Sequence, residues 1–286
     1  MAQKTDAAGT PWKTDDWFVS PWNYVDEITK DFKPPKKVKI HDVTLRDGEQ
    51  QAGIIFTKDD KIRIAEKLAE AGVHRIEAGM PAVSPMDEAA IKEIVKRKLG
   101  PEIFCFSRCM VDDVKRAADC GADGIVIEIP ASMELVEQAY KWPMERAIDL
   151  SIKATACAKE NHLYTVFFTI DGTRAEMDFL LNLVEKVANE GHMDAFTLVD
   201  TFGVLSPHGA RYFTRKVRER VRTPVEIHFH SDFALGVANT IMAVLEGAEV
   251  IHSTVGGIGE RCGNAPLEET ALALLTLYGI NTGLNF

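Results

Sequence analysis

Short apolar runs alternate along the chain with longer amphipathic segments, which is how consecutive strand and helix units read. Eight runs fit strands: Val38 to Asp42, Arg75 to Ala78, Ile103 to Ser107, Gly124 to Ile129, Thr165 to Ile170, Ala195 to Asp200, Val225 to His230 and Val250 to Thr254. Between the first two, Thr57 and Asp60 have the spacing of a helix-capping pair. Ile62, Ala65, Leu68 and Ala69 then repeat at helical intervals, and Gly72 follows the last turn. Gly121-Ala122 and Gly247-Ala248 mark later helix ends in the same way. Eight strands joined by helical crossovers predict an α/β fold, a closed (β/α)8 TIM barrel rather than an open doubly wound sheet. There is no shorter repeat and no low-complexity tract.

Length agrees, because such a barrel takes about 250 residues and the chain has 286, of which 46% are hydrophobic. The division expected is an N-terminal extension, residues 1–36, and a catalytic barrel, residues 37–286. The extension holds Trp12, Trp17, Phe18, Trp22 and Tyr24 ahead of Pro34-Pro35-Lys36-Lys37. Disordered tails lack such aromatic density, so from about Pro11 onward it should dock. Packing on the outside of the barrel is the simpler expectation. The alternative is an active-site lid or subunit contact, in which Asp15, Asp16, Tyr24 and Asp26 close over the mouth. The net charge of -10 and the lack of a basic cluster argue against nucleic acid. Five cysteines without a C-x-x-C pair fit reduced thiols in a cytoplasmic protein. No apolar run approaches the roughly 18 residues of a membrane span, and the N-terminus opens polar rather than as a signal peptide.

Candidate chemistry comes from three distant segments. Asp47 lies in Asp42-Val43-Thr44-Leu45-Arg46-Asp47-Gly48-Glu49-Gln50, His228 and His230 in Ile227-His228-Phe229-His230, and Asn264 in Gly259-Glu260-Arg261-Cys262-Gly263-Asn264. A carboxylate, two imidazoles and a side-chain carbonyl suit a divalent ion that keeps open positions for a chelating substrate. Two histidines two apart in a strand project from one face, so both can reach one ion. Alone that pair is a weak signal, and an ion pair at a strand end would explain Arg46 and Asp47 equally well. Position adds an independent argument: Asp47, Glu77, Arg108, Asp171, Thr201, His230 and Asn264 all lie at or just beyond the C-terminal ends of the expected strands, where barrel enzymes carry catalysis. Gln50, Arg108 and Thr201 are candidates for substrate binding. Glu77 has the competing explanation of a pair with Arg75 or Lys92, and Thr201 that of a turn cap. His41 reads as a structural histidine and Cys262 as a small buried filler.

Five stretches in order carry a family resemblance: His41 to Gly53, Ile76 to Pro81, Val199 to Pro207, His228 to Asn239 and Gly257 to Glu268. They resemble the DRE-TIM metallolyases, and among these the isopropylmalate, homocitrate and citramalate synthases, over about residues 38–280. The resemblance implies a divalent metal (Mg²⁺, Mn²⁺ or Zn²⁺) held by Asp47, His228, His230 and Asn264, with Arg46 polarising a substrate carbonyl. It also implies that a 2-oxo acid chelates the ion, that the enolate of an acyl-CoA attacks it in a Claisen-type condensation, and that the thioester is hydrolysed. Glu77 and Thr201 resemble positions that contact substrate or support the metal water. Two departures stand out. The synthases carry a Glu-Asp pair after the fifth strand where this chain has Ile170-Asp171-Gly172, which leaves Asp171 as the acid-base candidate. They also continue into a region supplying a His and a Tyr to a neighbouring active site, whereas this sequence stops at Phe286. Ala131-Ser132-Met133-Glu134 is instead similar to the hydroxymethylglutaryl-CoA lyases, although their Gly-Cys-Pro-Tyr stretch is missing. The expectation is a homo-oligomeric acyltransferase acting on a 2-oxo or 2-hydroxy acid. The alternatives are a lyase running the same chemistry backward and a silent sensor that binds metal and oxo acid.

Overall fold

In the computed structural model, which describes residues 10–286, the eight expected strands close into one parallel barrel in chain order. They are β1 Lys39–Asp42, β2 Arg75–Glu77, β3 Glu102–Arg108, β4 Gly124–Pro130, β5 Tyr164–Ile170, β6 Ala195–Asp200, β7 Val225–Phe229 and β8 Val250–Ser253. The ring closes where β1 pairs with β8, Lys39 opposite Val250 and Asp42 opposite Ser253. His230 lies just past β7 and bridges to Asn264 instead of extending the strand.

The helices are α1 Asp26–Thr29, α2 Lys58–Ala71, α3 Pro85–Arg97, α4 Val111–Asp119, α5 Met144–Glu160, α6 Met177–Glu190, α7 Pro207–Arg220, α8 Gly236–Leu245 and α9 Leu267–Tyr278. The start of α2 carries the full capping box: Asp60 N–H donates to Thr57 Oγ1 at 3.2 Å and Thr57 N–H to Asp60 Oδ2 at 3.0 Å. Gly72 ends the helix in the left-handed region.

Alternation along the strands divides the core in two. Ile40, Ile103, Ile125, Ile127, Phe167 and Leu198 belong to the larger apolar cluster, which includes residues of the surrounding helices. Phe104, Phe106, Val126, Val166, Phe168 and Val199 form the barrel interior. That interior also holds a chain of buried ionic groups. His41 Nε2 lies 3.2 Å from Glu77, and its ring stacks on His252 at 4.4 Å between centroids. His252 Nε2 lies 2.8 Å from Glu226, which also accepts from Arg75 Nη1 at 2.7 Å. Buried charges persist only when paired, and here the pairing runs up to the residues at the mouth.

The latter part of the N-terminal segment packs on the outside of the barrel. Tyr24 donates its hydroxyl to the Thr276 carbonyl at 2.7 Å, and Phe32 packs on Tyr278 with ring centroids 6.1 Å apart. Lys33 N–H donates to Leu245 O at 2.7 Å, and Arg211 Nη2 to Asp31 O at 3.0 Å. These anchors hold residues 24–33 to α7, α8 and α9 on the outside rather than across the mouth; the first nine residues lie outside the described part. Among the described residues no helix is long and apolar enough to cross a membrane.

Candidate active site

The turn after β1 is wound around a single carbonyl: Val43 O accepts from the amides of Arg46, Asp47 and Gly48 at 3.1, 2.8 and 3.2 Å. That winding brings Arg46 and Asp47 to the mouth. Beneath it, Asp42 Oδ1 and Oδ2 accept from Thr44 N–H and Oγ1 at 2.9 and 3.0 Å, and Thr44 Oγ1 accepts from Val255 N–H at 2.9 Å, tying the turn to the loop after β8. Glycine lets that loop come close. A Cβ on Gly259 would sit 2.2 Å from Asn264 Nδ2 and 2.7 Å from Asp47 Oδ1, and one on Gly263 would sit 1.9 Å from the Gly257 carbonyl.

Asp47, His228 and His230 converge, each offering a ligand atom within 4.8 Å of the others. His228 Nε2 is 3.3 Å from Asp47 Oδ2 and 3.3 Å from His230 Nε2, and His230 Nε2 is 3.9 Å from Asp47 Oδ2. His230 Nδ1 faces the Gly263 carbonyl at 3.2 Å, which makes it the donor and leaves Nε2 with its lone pair toward the gap. Asn264 donates from Nδ2 to Asp47 Oδ1 at 2.9 Å and to Ile258 O at 3.1 Å, while its buried Oδ1 has no partner. Burial pushes His228 down to about 3 and lowers His230 as well, so both imidazoles are neutral near pH 7, as metal ligation requires. For Asp47, burial acts upward, but Arg46 and then His228 hold its carboxyl well below the ordinary range. A buried carboxylate, two neutral imidazoles facing each other and an orphaned amide oxygen are a donor set that fits a divalent cation.

Arg46 stands beside this set. Its Nε pairs with Glu77, its Nη1 donates to Asp47 Oδ2 at 2.8 Å and Gln50 Oε1 at 3.2 Å, and its Nη2 is buried without a partner. The guanidinium lies 4.0 Å from the Phe106 ring centroid, which fixes its plane. Glu77 therefore pairs with Arg46 and His41 rather than with Arg75 or Lys92, and these partners outweigh burial to bring it to about 2.

A cavity of about 590 Å³ opens here, lined by Arg46, Asp47, Gln50, Thr201, His228 and His230 among others. Two expected residues face elsewhere. Arg108 forks onto Asp113 at 2.7 and 3.1 Å and lines a neighbouring recess. Asp171 is fully buried, accepting from Ser132 Oγ at 2.6 Å and from Arg174 at 2.7 and 2.6 Å, and does not line the cavity. Thr201 Oγ1 caps the amide of Asp171 at 2.7 Å. Cys262 is exposed, not a buried filler. Conversely, Glu128 lines the cavity and was not singled out from sequence. Its signal was one charged residue in the apolar run Gly124-Ile-Val-Ile-Glu-Ile-Pro. A second set, His41, Glu226 and His252, also gathers within 4.8 Å, but Arg75 already occupies Glu226, so it is a core charge pairing.

The family model described as HMGL-like matches residues 37–286. The chain belongs to the HMGL-like family. It is 40% identical over 262 residues to a homocitrate synthase of Methanopyrus kandleri, covering 92% of this chain and 66% of the relative. It is 39% identical to the 2-isopropylmalate synthase of Methanocaldococcus jannaschii, covering 87% and 48%. To the (R)-citramalate synthase of the same organism it is 40% identical, covering 86% and 50%. The chain thus spans about half to two thirds of the length of these relatives. Among solved structures, the hydroxymethylglutaryl-CoA lyase of Pseudomonas aeruginosa superposes with a TM-score of 0.77 at 22% identity, covering 88% of this chain and 89% of that one, a likeness of fold. The synthase resemblance read from the motifs is therefore borne out at the level of family, and the barrel at the level of fold.

Proposed function

We propose that this HMGL-like chain catalyses a divalent-metal-dependent Claisen-type condensation of an acyl-CoA with a 2-oxo acid, as an acyltransferase of the 2-isopropylmalate synthase type. The observation that carries the reading is the convergence of Asp47, His228 and His230 on one gap beside the unpartnered Nη2 of Arg46. Asp47, His228, His230 and Asn264 would hold Mg²⁺, Mn²⁺ or Zn²⁺, which when bound would supply Lewis acidity toward a chelating oxo acid.

The protein's own part is positioning and charge stabilisation. Glu77 and Phe106 fix the Arg46 plane so that Nη2 donates to the oxygen of the reacting carbonyl as negative charge builds on it. Gln50 and Thr201, on the cavity wall, are placed to bind the acid's polar groups. The apolar wall of Phe106, Phe168 and Ile170 excludes water and strengthens these electrostatic contacts. Purified protein with Mn²⁺, acetyl-CoA and a panel of 2-oxo acids should release free thiol, followed colorimetrically. Cleavage of a 3-hydroxyacyl-CoA in place of thiol release would reverse the direction, since the same alkoxide is stabilised either way. Binding of Mn²⁺ and oxo acid without turnover of either kind would leave a sensor.

A further inference from the structure

Condensation needs a base to take a proton from the acyl methyl group, and that base must reach the reacting carbon. The titratable side chains lining the cavity are few. Asp47, His228 and His230 form the convergent set. Glu49 and Asp87 both grip Lys61, at 2.6 and 2.5 Å. Glu260 pairs with Arg261 at 3.3 Å. Glu77, behind Arg46, is locked by Arg46 and His41, and Asp171 is turned away toward Ser132 and Arg174. Tyr140, also on the wall, is a phenol that burial raises still further from neutrality. Among the carboxylates and imidazoles Glu128 alone is left: its carboxylate makes no hydrogen bond or ion pair among the described residues, and it lines the cavity together with Phe106, Phe168 and Ile170.

We propose that Glu128 is the catalytic base of this chain, resting on the condensation reading above and occupying on β4 a place that a carboxylate on β5 could otherwise fill. Strand register supports the exchange. Glu128 is paired with Phe168 and Pro130 with Ile170, so Glu128 and Ile170 project from adjacent strands into the same cavity, and the chain carries one carboxylate between the two. Burial also pushes the Glu128 carboxyl up to about 7, against the pull of Arg46 and Arg108, which suits proton abstraction near neutrality. In the step, Glu128 takes a proton from the methyl carbon of the acyl thioester, and the released C–H electron pair forms the new bond to the 2-oxo carbon. The carbonyl π pair moves onto oxygen beside Arg46, and Glu128 passes its proton through water to that alkoxide. A water molecule then cleaves the thioester to a carboxylic acid and free thiol.

The test uses the full chain with Mn²⁺, acetyl-CoA and whichever of pyruvate, 2-oxoisovalerate or 2-oxoglutarate the wild type turns over. Glu128→Gln should lower kcat on the order of 10²- to 10⁴-fold, leave KM for the oxo acid and Mn²⁺ affinity by electron paramagnetic resonance within about threefold, and slow release of tritium from methyl-labelled acetyl-CoA in parallel. Adding Ile170→Glu to Glu128→Gln should recover at least tenfold, a rescue that a purely structural glutamate would not allow. An unchanged kcat in Glu128→Gln, or a changed oxo-acid preference at full kcat, overturns the assignment while leaving condensation intact. A wild-type chain that releases no thiol with any of the three overturns both.

Discussion

The two sides of the cavity are built on opposite terms. On the side of β1, β7 and β8, nearly every polar atom is engaged: Asp47 is held by Arg46 and Asn264, His230 by the Gly263 carbonyl, and the glycine loop packs within close contact of all of them. Arg46 Nη2, Asn264 Oδ1 and His228 Nδ1 are among the buried atoms there without a partner. On the side of β3 to β5, Phe106, Phe168 and Ile170 share the wall with the carboxylate of Glu128, which makes no hydrogen bond or ion pair among the described residues. The first wall is organised to hold charge in fixed geometry. On the second, burial among apolar neighbours raises a single carboxyl toward neutrality. The condensation proposed above, which both polarises an electrophile and generates a carbanion, would draw on both kinds of wall.

The strongest challenge to the polar wall is His230→Ala. Its ring faces Asp47 and His228 rather than the apolar core, so the variant should keep its far-ultraviolet circular dichroism while losing Mn²⁺ binding and more than about 10³-fold of turnover. A variant that unfolds would place the imidazole among the packing residues instead. Arg46→Lys comes next. A lysine keeps the charge but loses the fork that joins Glu77, Asp47, Gln50 and the free Nη2, so kcat should fall on the order of 10²-fold with Mn²⁺ affinity preserved. Unchanged turnover would reduce Arg46 to a support for Asp47.

The polar wall was legible in sequence and the apolar wall was not, and the reason is physical. Asp47, His228, His230 and Asn264 sit at strand ends or in a glycine loop, where polar residues in short runs announce themselves against apolar strands. Alternation gives the face of Glu128 but not its height along the barrel. Nothing in Gly124 to Pro130 says whether that glutamate ends at the mouth or, like Glu226, among core ion pairs. Asp171 shows the converse. The Asp-Gly step marks a turn, yet only the structure shows that Asp171 adopts a left-handed conformation and swings its carboxylate to Ser132. The chain from Arg75 through Glu226 and His252 to His41 draws on β1, β2, β7 and β8, and ring closure alone brings these together.

Asp171→Asn sharpens the contrast from the other side. Its carboxylate accepts two hydrogen bonds from Arg174 and one from Ser132, so the amide should cost about 1–3 kcal/mol of stability, read as a lower melting temperature, with kcat within about threefold of wild type. A collapse of kcat at unchanged melting temperature would move the base from Glu128 to Asp171.

An effect on stability alone lies beneath the polar wall, at Asp42. Burial pushes its carboxyl up to about 7, against the hydrogen bonds from Thr44. The folded chain then keeps a proton that the unfolded chain, at an ordinary 3.8, gives up. The stability this contributes is complete below about 3.8 and is lost as pH rises through 7, at roughly 1.4 kcal/mol for each pH unit crossed. Asparagine cannot ionise and still offers Oδ1 to the Thr44 amide. The stability of Asp42→Asn relative to wild type should therefore improve from pH 5 to pH 7 and level off above about pH 7.5, measured by urea denaturation of the metal-free protein at each pH. The comparison is between two proteins that differ at one group, so titration of the buried histidines cancels. A flat difference across that range would mean that Asp42 is ionised in the folded chain and that the turn carrying Arg46 and Asp47 rests on a charge rather than on a neutral acid.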